Sequence, residues 1–263
     1  MKAFLLAGGH GTRLRPLTDS LPKCLVPIRG RALLDIWLEL CARHGISEVL
    51  INVHAHAGQV EKHLHRSDPP VRVRLVHEEL LLGSAGTIAA NRQWVAHEQA
   101  FFIFYSDVLT CTNLADMVEF HLEHMPVATL GLYQVPTPER CGVAITNGEG
   151  MIVEFAEKPK APRSNWVFSG VMLATAALFD AIPVSAPADL GFHVLPRLTG
   201  KMRAYPITEF LIDIGTPANY RLAQQTWPGL KGDFGEPAAQ PPIQPQIPRA
   251  RSAKRARAHR AGR

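Results

Sequence analysis

The 263-residue chain has no apolar run near the roughly 20 residues a membrane helix needs, so no spanning helix is predicted. Its N-terminus carries Lys2 and a short apolar run that ends in glycines and arginines. That run is shorter than the apolar stretch of a secretory signal and has no small-residue cleavage site after it. Cysteine is sparse: Cys24, Cys41, Cys111 and Cys141 are scattered without a CxxC pair, which excludes a disulfide framework and predicts reduced thiols in a cytoplasmic protein. HExxH, a Cys/His zinc spacing and Gly-x-Ser-x-Gly are all missing. The close pairs His54/His56, His63/His65 and His121/His124 fall on different predicted elements, so packing or surface roles are expected of them.

The excess of basic charge is concentrated in one stretch. Residues 249–263, "RARSAKRARAHRAGR", hold seven Lys/Arg and no Asp or Glu, and removing them from the total of +5 leaves −2 for residues 1–248. A body so close to neutral does not resemble a nucleic-acid binder. The preceding "EPAAQPPIQPQIP" has little to bury and reads as an extended linker. The expected organisation is one domain over residues 1–230 and a disordered tail over 231–263, proline-rich and then arginine-rich. Nothing in the sequence selects between a monomer and a homo-oligomer.

What is present is a pattern. Apolar "KAFLLA" gives way to "GGHGTRLRPLT", where Gly8, Gly9 and Gly11 allow a ligand close to the main chain and Arg13 and Arg15 offer forks for phosphate oxygens. A dinucleotide fingerprint is excluded because Leu14 occupies its third glycine, and a P-loop because no Gly-Lys-Ser/Thr follows. A plain strand-exit turn with solvent-facing arginines remains the alternative. Downstream, strand signals in "EVLINV", "VRVRLVHE", "AFFIFYSD" and "VATLGLYQV" alternate with helical spacing in "ALLDIWLELCARHG", "GQVEKHLHR", "SAGTIAANRQWV" and "LADMVEFHLEH". Such alternation predicts an α/β fold: a Rossmann-like, mainly parallel sheet flanked by helices, with ligands beyond the carboxyl ends of its strands. From Gly142 short strands and an Asn-Gly-Glu-Gly turn predict a small antiparallel extension.

Asp107 ends the apolar run "FFIFYSD" and Asp213 ends "EFLID", so two strand tips could present carboxylates to one Mg²⁺, an ion that prefers oxygen ligands. Capping of the next turn is the competing role for each. Lys23 and Lys158 are held beside prolines and suit a phosphate, and Glu157 next to Lys158 suits sugar hydroxyls.

The segments "LAGGHGTRLRPLTDSLPKCLVPI", "EELLLGSAGTIAAN", "FFIFYSDVLT", "CGVAI", "FAEKP", "SNWVFSGVML" and "DIGTPANY" follow one another as in the sugar-1-phosphate nucleotidyltransferases, and the resemblance runs from Met1 to about Gln225. The chain is most similar to the short mannose- or heptose-1-phosphate guanylyltransferases. The resemblance implies transfer of a nucleotidyl group from an NTP, GTP first, to a sugar 1-phosphate, mannose 1-phosphate first. It implies catalytic roles for Arg13, Lys23 and Asp107, with Mg²⁺ on Asp107 and Asp213. The nucleotide would meet Gly8, Gly9, Gly11, Thr12, Glu78 and Gly83; the sugar phosphate would meet Gly142, Glu157, Lys158 and Asn165. A glucose-1-phosphate thymidylyl- or uridylyltransferase and an inactive nucleotide-sugar-sensing subunit are the alternatives. Ser106 and His193 depart from the glycine and aspartate common at those places, and Ser84 replaces a threonine.

Overall fold

The computed structural model describes residues 1–185 and 187–230; the tail expected over 231–263 lies outside them. Four strands, β1 (Lys2–Leu6), β4 (Glu48–Val53), β5 (Arg72–His77) and β6 (Phe101–Tyr105), form a parallel group in the order β6-β1-β4-β5. Two two-residue strands, β2 (Pro27–Ile28) and β3 (Arg31–Ala32), make a small hairpin between β1 and helix α1 (Leu33–Arg43). Helices α2 (Ala57–Ser67) and α3 (Gly83–Ala90) follow β4 and β5. These are the crossovers that alternating strand and helix periods require.

The apolar alternation along each strand sorts side chains to two faces. Ala3, Leu5, Phe102 and Phe104 join the core packed under Trp37 and Leu34 of α1, while Phe4, Phe101 and Ile103 join the other, with Ile88 of α3. All are nearly or completely buried. At about 1.5–3 kcal/mol for each large apolar side chain buried, these two layers hold the strands in register.

The rest of the sheet is mixed and joins this group through one antiparallel strand. After β7 (Val108–Thr110) and α4 (Leu114–His124), whose N-terminus is capped by Asn113, come β8 (Ala128–Gln134), β9 (Gly142–Thr146), β10 (Ile152–Glu157) and β11 (Trp166–Ala174). Val171–Ala174 of β11 pair antiparallel with β6, and Trp166 and Val167 reach β8 and β9. β9 pairs with β10, and β12 (Met202–Pro206) runs parallel beside β8, completing nine strands. The expected α/β sheet with its antiparallel extension is present, although the extension begins one strand earlier, at β8. Another difference lies in "SAGTIAANRQWV", which breaks at Asn91: α3 stops at Ala90 and a 3₁₀ turn covers Arg92–Val95. Finally β13 (Leu211–Asp213) pairs with β7 outside the main sheet, and α5 (Pro217–Thr226) starts at the Thr216 cap.

Candidate active site

The parallel strands end level with one another. Leu6 is paired with Asn52 on one side and Tyr105 on the other, and Glu78 follows directly on β5. A cavity of about 350 Å³ opens over these tips. Its wall includes Gly8, Gly9, Gly11, Thr12 and Arg13 of the glycine loop, together with Lys23, Glu78, Gly83 and Asp107. Gly11 sits at φ +64°, and its carbonyl accepts from Leu14 N at 2.9 Å and Thr18 Oγ1 at 2.7 Å. This turn brings Thr12 and Arg13 to the exposed mouth of the cavity.

At one end of the cavity Lys23 Nζ lies 2.6 Å from Asp107 Oδ2. Asp213 is brought next to Asp107 by the short β7–β13 ladder, in which Ile214 N donates to Asp107 O at 2.9 Å. Asn219 of α5 donates to Asp213 O at 2.7 Å, and Gly215 N to Asp213 Oδ1 at 2.5 Å, so the turn "DIGTP" is fixed from both sides. A Cβ at Gly215 would stand 2.6 Å from Asp213 Oδ1, 3.0 Å from Arg13 Nη2 and 3.1 Å from Lys23 Nζ. Three charged ends therefore converge on one small residue. Burial pushes the Asp213 carboxyl above its ordinary range and the Asp107 charge adds to it, against Lys23, the Gly215 N–H and Arg13. Two hard oxygen donors held against their mutual repulsion suit a divalent cation whose other positions go to water or substrate oxygens. No group of three or more His, Cys, Asp or Glu arranged for a metal occurs among the described residues.

On another side Glu78 is 5% exposed, and its carboxylate is held from within. Oε1 accepts from Thr87 Oγ1 at 2.5 Å and Asn52 Nδ2 at 3.1 Å, and Oε2 from Leu82 N at 3.3 Å. Gly83 takes φ +77°, where a Cβ would collide with the Ala188 carbonyl. That carbonyl accepts from Ala85 N and Gly86 N at the start of α3. Ser84 Oγ donates to Asp189 Oδ2 at 3.0 Å and accepts from Leu190 N at 2.7 Å. The departure at His193 is accommodated locally: its Nδ1 accepts from Asp189 N at 2.9 Å and closes the short helical turn Leu190–Val194.

Glu157, at the end of β10, packs against the backbone of Gly142 and Gly191, where a Cβ at either position would collide with its carboxylate. Burial raises its carboxyl above the ordinary range, Lys158 opposes the shift and Asp189 adds to it. Lys158 Nζ is 3.4 Å from Glu157 Oε1 and 5.2 Å from the ring centre of Phe192. Asn165 is exposed, and its carbonyl accepts from Val135 N at 3.1 Å. The structure thus gathers Arg13, Lys23, Asp107 and Asp213 in one group and Gly142, Glu157 and Lys158 in a second. Asn52, Ser84, Thr87, Tyr105 and Asp189 also line the cavity and were not anticipated. Only Asn52 carried a signal, as a lone amide near the tip of the apolar strand "EVLINV".

The family model for Nucleotidyl transferase matches residues 2–227. Mannose-1-phosphate guanyltransferase beta-A of Xenopus laevis is 33% identical over 226 residues, 84% of this chain and 62% of that protein. Mannose-1-phosphate guanylyltransferase catalytic subunit beta of Drosophila melanogaster is 34% identical over 224 residues, 83% and 60% of the two chains. The chain thus spans about three-fifths of the length of the curated relatives it matches. The crystal structure of HddC from Yersinia pseudotuberculosis complexed with GMP-PN shares the fold, with a TM-score of 0.73 at 21% identity over 86% of this chain and 99% of that one.

Proposed function

The chain belongs to the nucleotidyl transferase family, and we propose that it transfers a nucleotidyl group from GTP to a sugar 1-phosphate, mannose 1-phosphate first, giving a GDP-sugar and pyrophosphate. The observation that carries this reading is the convergence of Arg13, Lys23, Asp107 and Asp213 from four separate segments beside the glycine loop. An oxygen of the sugar phosphate attacks the α-phosphorus in line. The bond from that phosphorus to the oxygen bridging to the β-phosphate breaks, and pyrophosphate leaves with the electron pair. Such a reaction needs positioning and charge neutralisation but no protein nucleophile. Gly8, Gly9, Gly11 and Thr12 receive the triphosphate along the backbone, Arg13 faces the departing pyrophosphate and Lys23 faces the α-phosphate. Asp107 and Asp213 would hold Mg²⁺, which supplies positive charge against the reacting phosphates. Lys158 holds the sugar phosphate, and Glu157, Gly142 and Asn165 meet the sugar.

Glu78 and Gly83 meet the base. Guanine presents two adjacent donors and an ionised carboxylate only accepts, whereas uracil and thymine flank one donor with two carbonyls that a carboxylate repels. The mannose-1-phosphate names of the relatives support the sugar and base together. We place the reaction in the cytoplasm, where its four cysteines stay reduced. No helix among the described residues is long and apolar enough to cross a membrane.

The test is a matrix of GTP, ATP, UTP and dTTP against mannose, glucose and heptose 1-phosphates. GTP with mannose 1-phosphate should give the highest kcat/KM, at least about tenfold over UTP, or about 1.4 kcal/mol. A preference for UTP or dTTP would overturn the base assignment. Silence throughout would favour a sensor subunit.

A further inference from the structure

Asn52 lies in β4, is 5% exposed and uses every polar atom it has. Its Oδ1 accepts from Ala7 N at 2.8 Å, at the point where β1 leaves the sheet for the glycine loop. Its Nδ2 donates to Glu78 Oε1 at 3.1 Å and to Thr87 Oγ1 at 3.2 Å. Gly8 leaves room for this: a Cβ there would stand 2.7 Å from Nδ2. One buried amide therefore touches the loop assigned to the triphosphate and the carboxylate assigned to the base.

The arrangement also fixes what Glu78 can offer. A carboxylate has about four acceptor directions. Asn52 and Thr87 fill both on Oε1, and Leu82 N occupies one on Oε2. The remaining acceptor direction belongs to Oε2, in a side chain that lines the cavity. Donors from two elements on Oε1 set which oxygen is turned outward and keep the group an acceptor.

We propose that Asn52 is a positioning residue for nucleotide selection: by donating to Glu78 Oε1 it presents Oε2 as an acceptor to the base, in fixed register with the triphosphate loop through Ala7. This rests on the guanylyltransferase reading above and adds to it the residue that makes Glu78 selective. A group that only packed the strand tip would affect all nucleotides alike.

The test compares wild type with Asn52→Asp, using kcat/KM for GTP and for UTP at saturating sugar 1-phosphate. The substitution keeps the size of the side chain and the acceptor for Ala7 N. It removes the donation to Glu78 and sets a second carboxylate against the first, which favours protonation of one of them, and a proton carried on Glu78 Oε2 turns that oxygen into a donor to a uracil carbonyl. The GTP-to-UTP ratio should fall about tenfold or more, with KM for the sugar phosphate unchanged. Thr87→Val, which removes the second donor to Oε1, should lower the same ratio by a smaller factor, and it carries the test if Asn52→Asp does not fold. A ratio unchanged from wild type in the folded variants, with both nucleotides slowed equally, would overturn the inference and leave the guanylyltransferase reading standing. A wild type with no GTP preference would remove the reading beneath it and the inference together.

Discussion

Lys23 Nζ and Asp107 Oδ2 lie 2.6 Å apart although 84 residues separate them in the chain. Both side chains are largely shielded from water, at 12% and 24% exposure, and Asp213 stands on the next strand. The lysine thus serves as countercharge to two carboxylates that repel each other, in a place assigned to phosphate and a divalent cation.

The first prediction follows from that repulsion. Asp213→Asn removes one of two like charges, so without divalent cations its melting temperature should equal or exceed that of wild type. Adding millimolar Mg²⁺ should raise the wild-type melting temperature and leave the variant's unmoved, while kcat of the variant falls on the order of a hundredfold or more. Near-normal turnover would mean that Asp213 only caps its turn.

Gly83 provides a second. Alanine at φ +77° costs about 1–2 kcal/mol in backbone conformation alone, and its Cβ would displace the Ala188 carbonyl from the start of α3. Gly83→Ala should lower the melting temperature by roughly 5 °C or more. It should also raise KM for the NTP, since the strained turn forms part of the cavity wall. Retention of both wild-type values would show that the Ala188 contact yields freely.

Lys158→Met tests the sugar side. Lys158 sits against Glu157 and Phe192, away from the glycine loop. KM for the sugar 1-phosphate should rise about tenfold, or 1.4 kcal/mol, with KM for the NTP unchanged. Equal changes in both constants would place Lys158 elsewhere in the mechanism.

A fourth prediction concerns acid stability, away from the cavity. His121 of α4 is 1% exposed; its Nδ1 contacts Thr129 Oγ1 at 2.8 Å and its Nε2 has no hydrogen-bond partner among the described residues. Burial lowers its pKa from 6.5 to about 4. The unfolded chain therefore takes up a proton below pH 6.5 that the folded chain refuses. The contribution of this residue is complete above pH 6.5 and is lost as pH falls toward 4, by about 2 kcal/mol between pH 7 and pH 5. Denaturant unfolding of His121→Leu should show a shallower loss over that interval. An identical slope in the two proteins would remove His121 as the cause.

Much of this was legible in the residues. Runs such as "EVLINV" and "AFFIFYSD" mark strands because buried parallel strands are apolar on both faces, and Asp107 and Asp213 stand out because a carboxylate ends each run. The pairing of β11 between β6 and β8 was not legible, since antiparallel insertion depends on contacts far apart in sequence. Asp189 and Ser84 were hidden for the same reason: nothing local tells that residues 105 apart will hydrogen-bond. Glu78 could be named from the sequence, but the donors that occupy most of its carboxylate come from β4 and α3 and appear only in three dimensions.

The most direct test of the central claim is ³¹P NMR of the full chain with Mg²⁺, GTP and mannose 1-phosphate, followed with each component omitted in turn. The account predicts GDP-mannose and pyrophosphate growing in equal amounts only when all three are present. Pyrophosphate or inorganic phosphate released from GTP at the same rate without the sugar phosphate would contradict it.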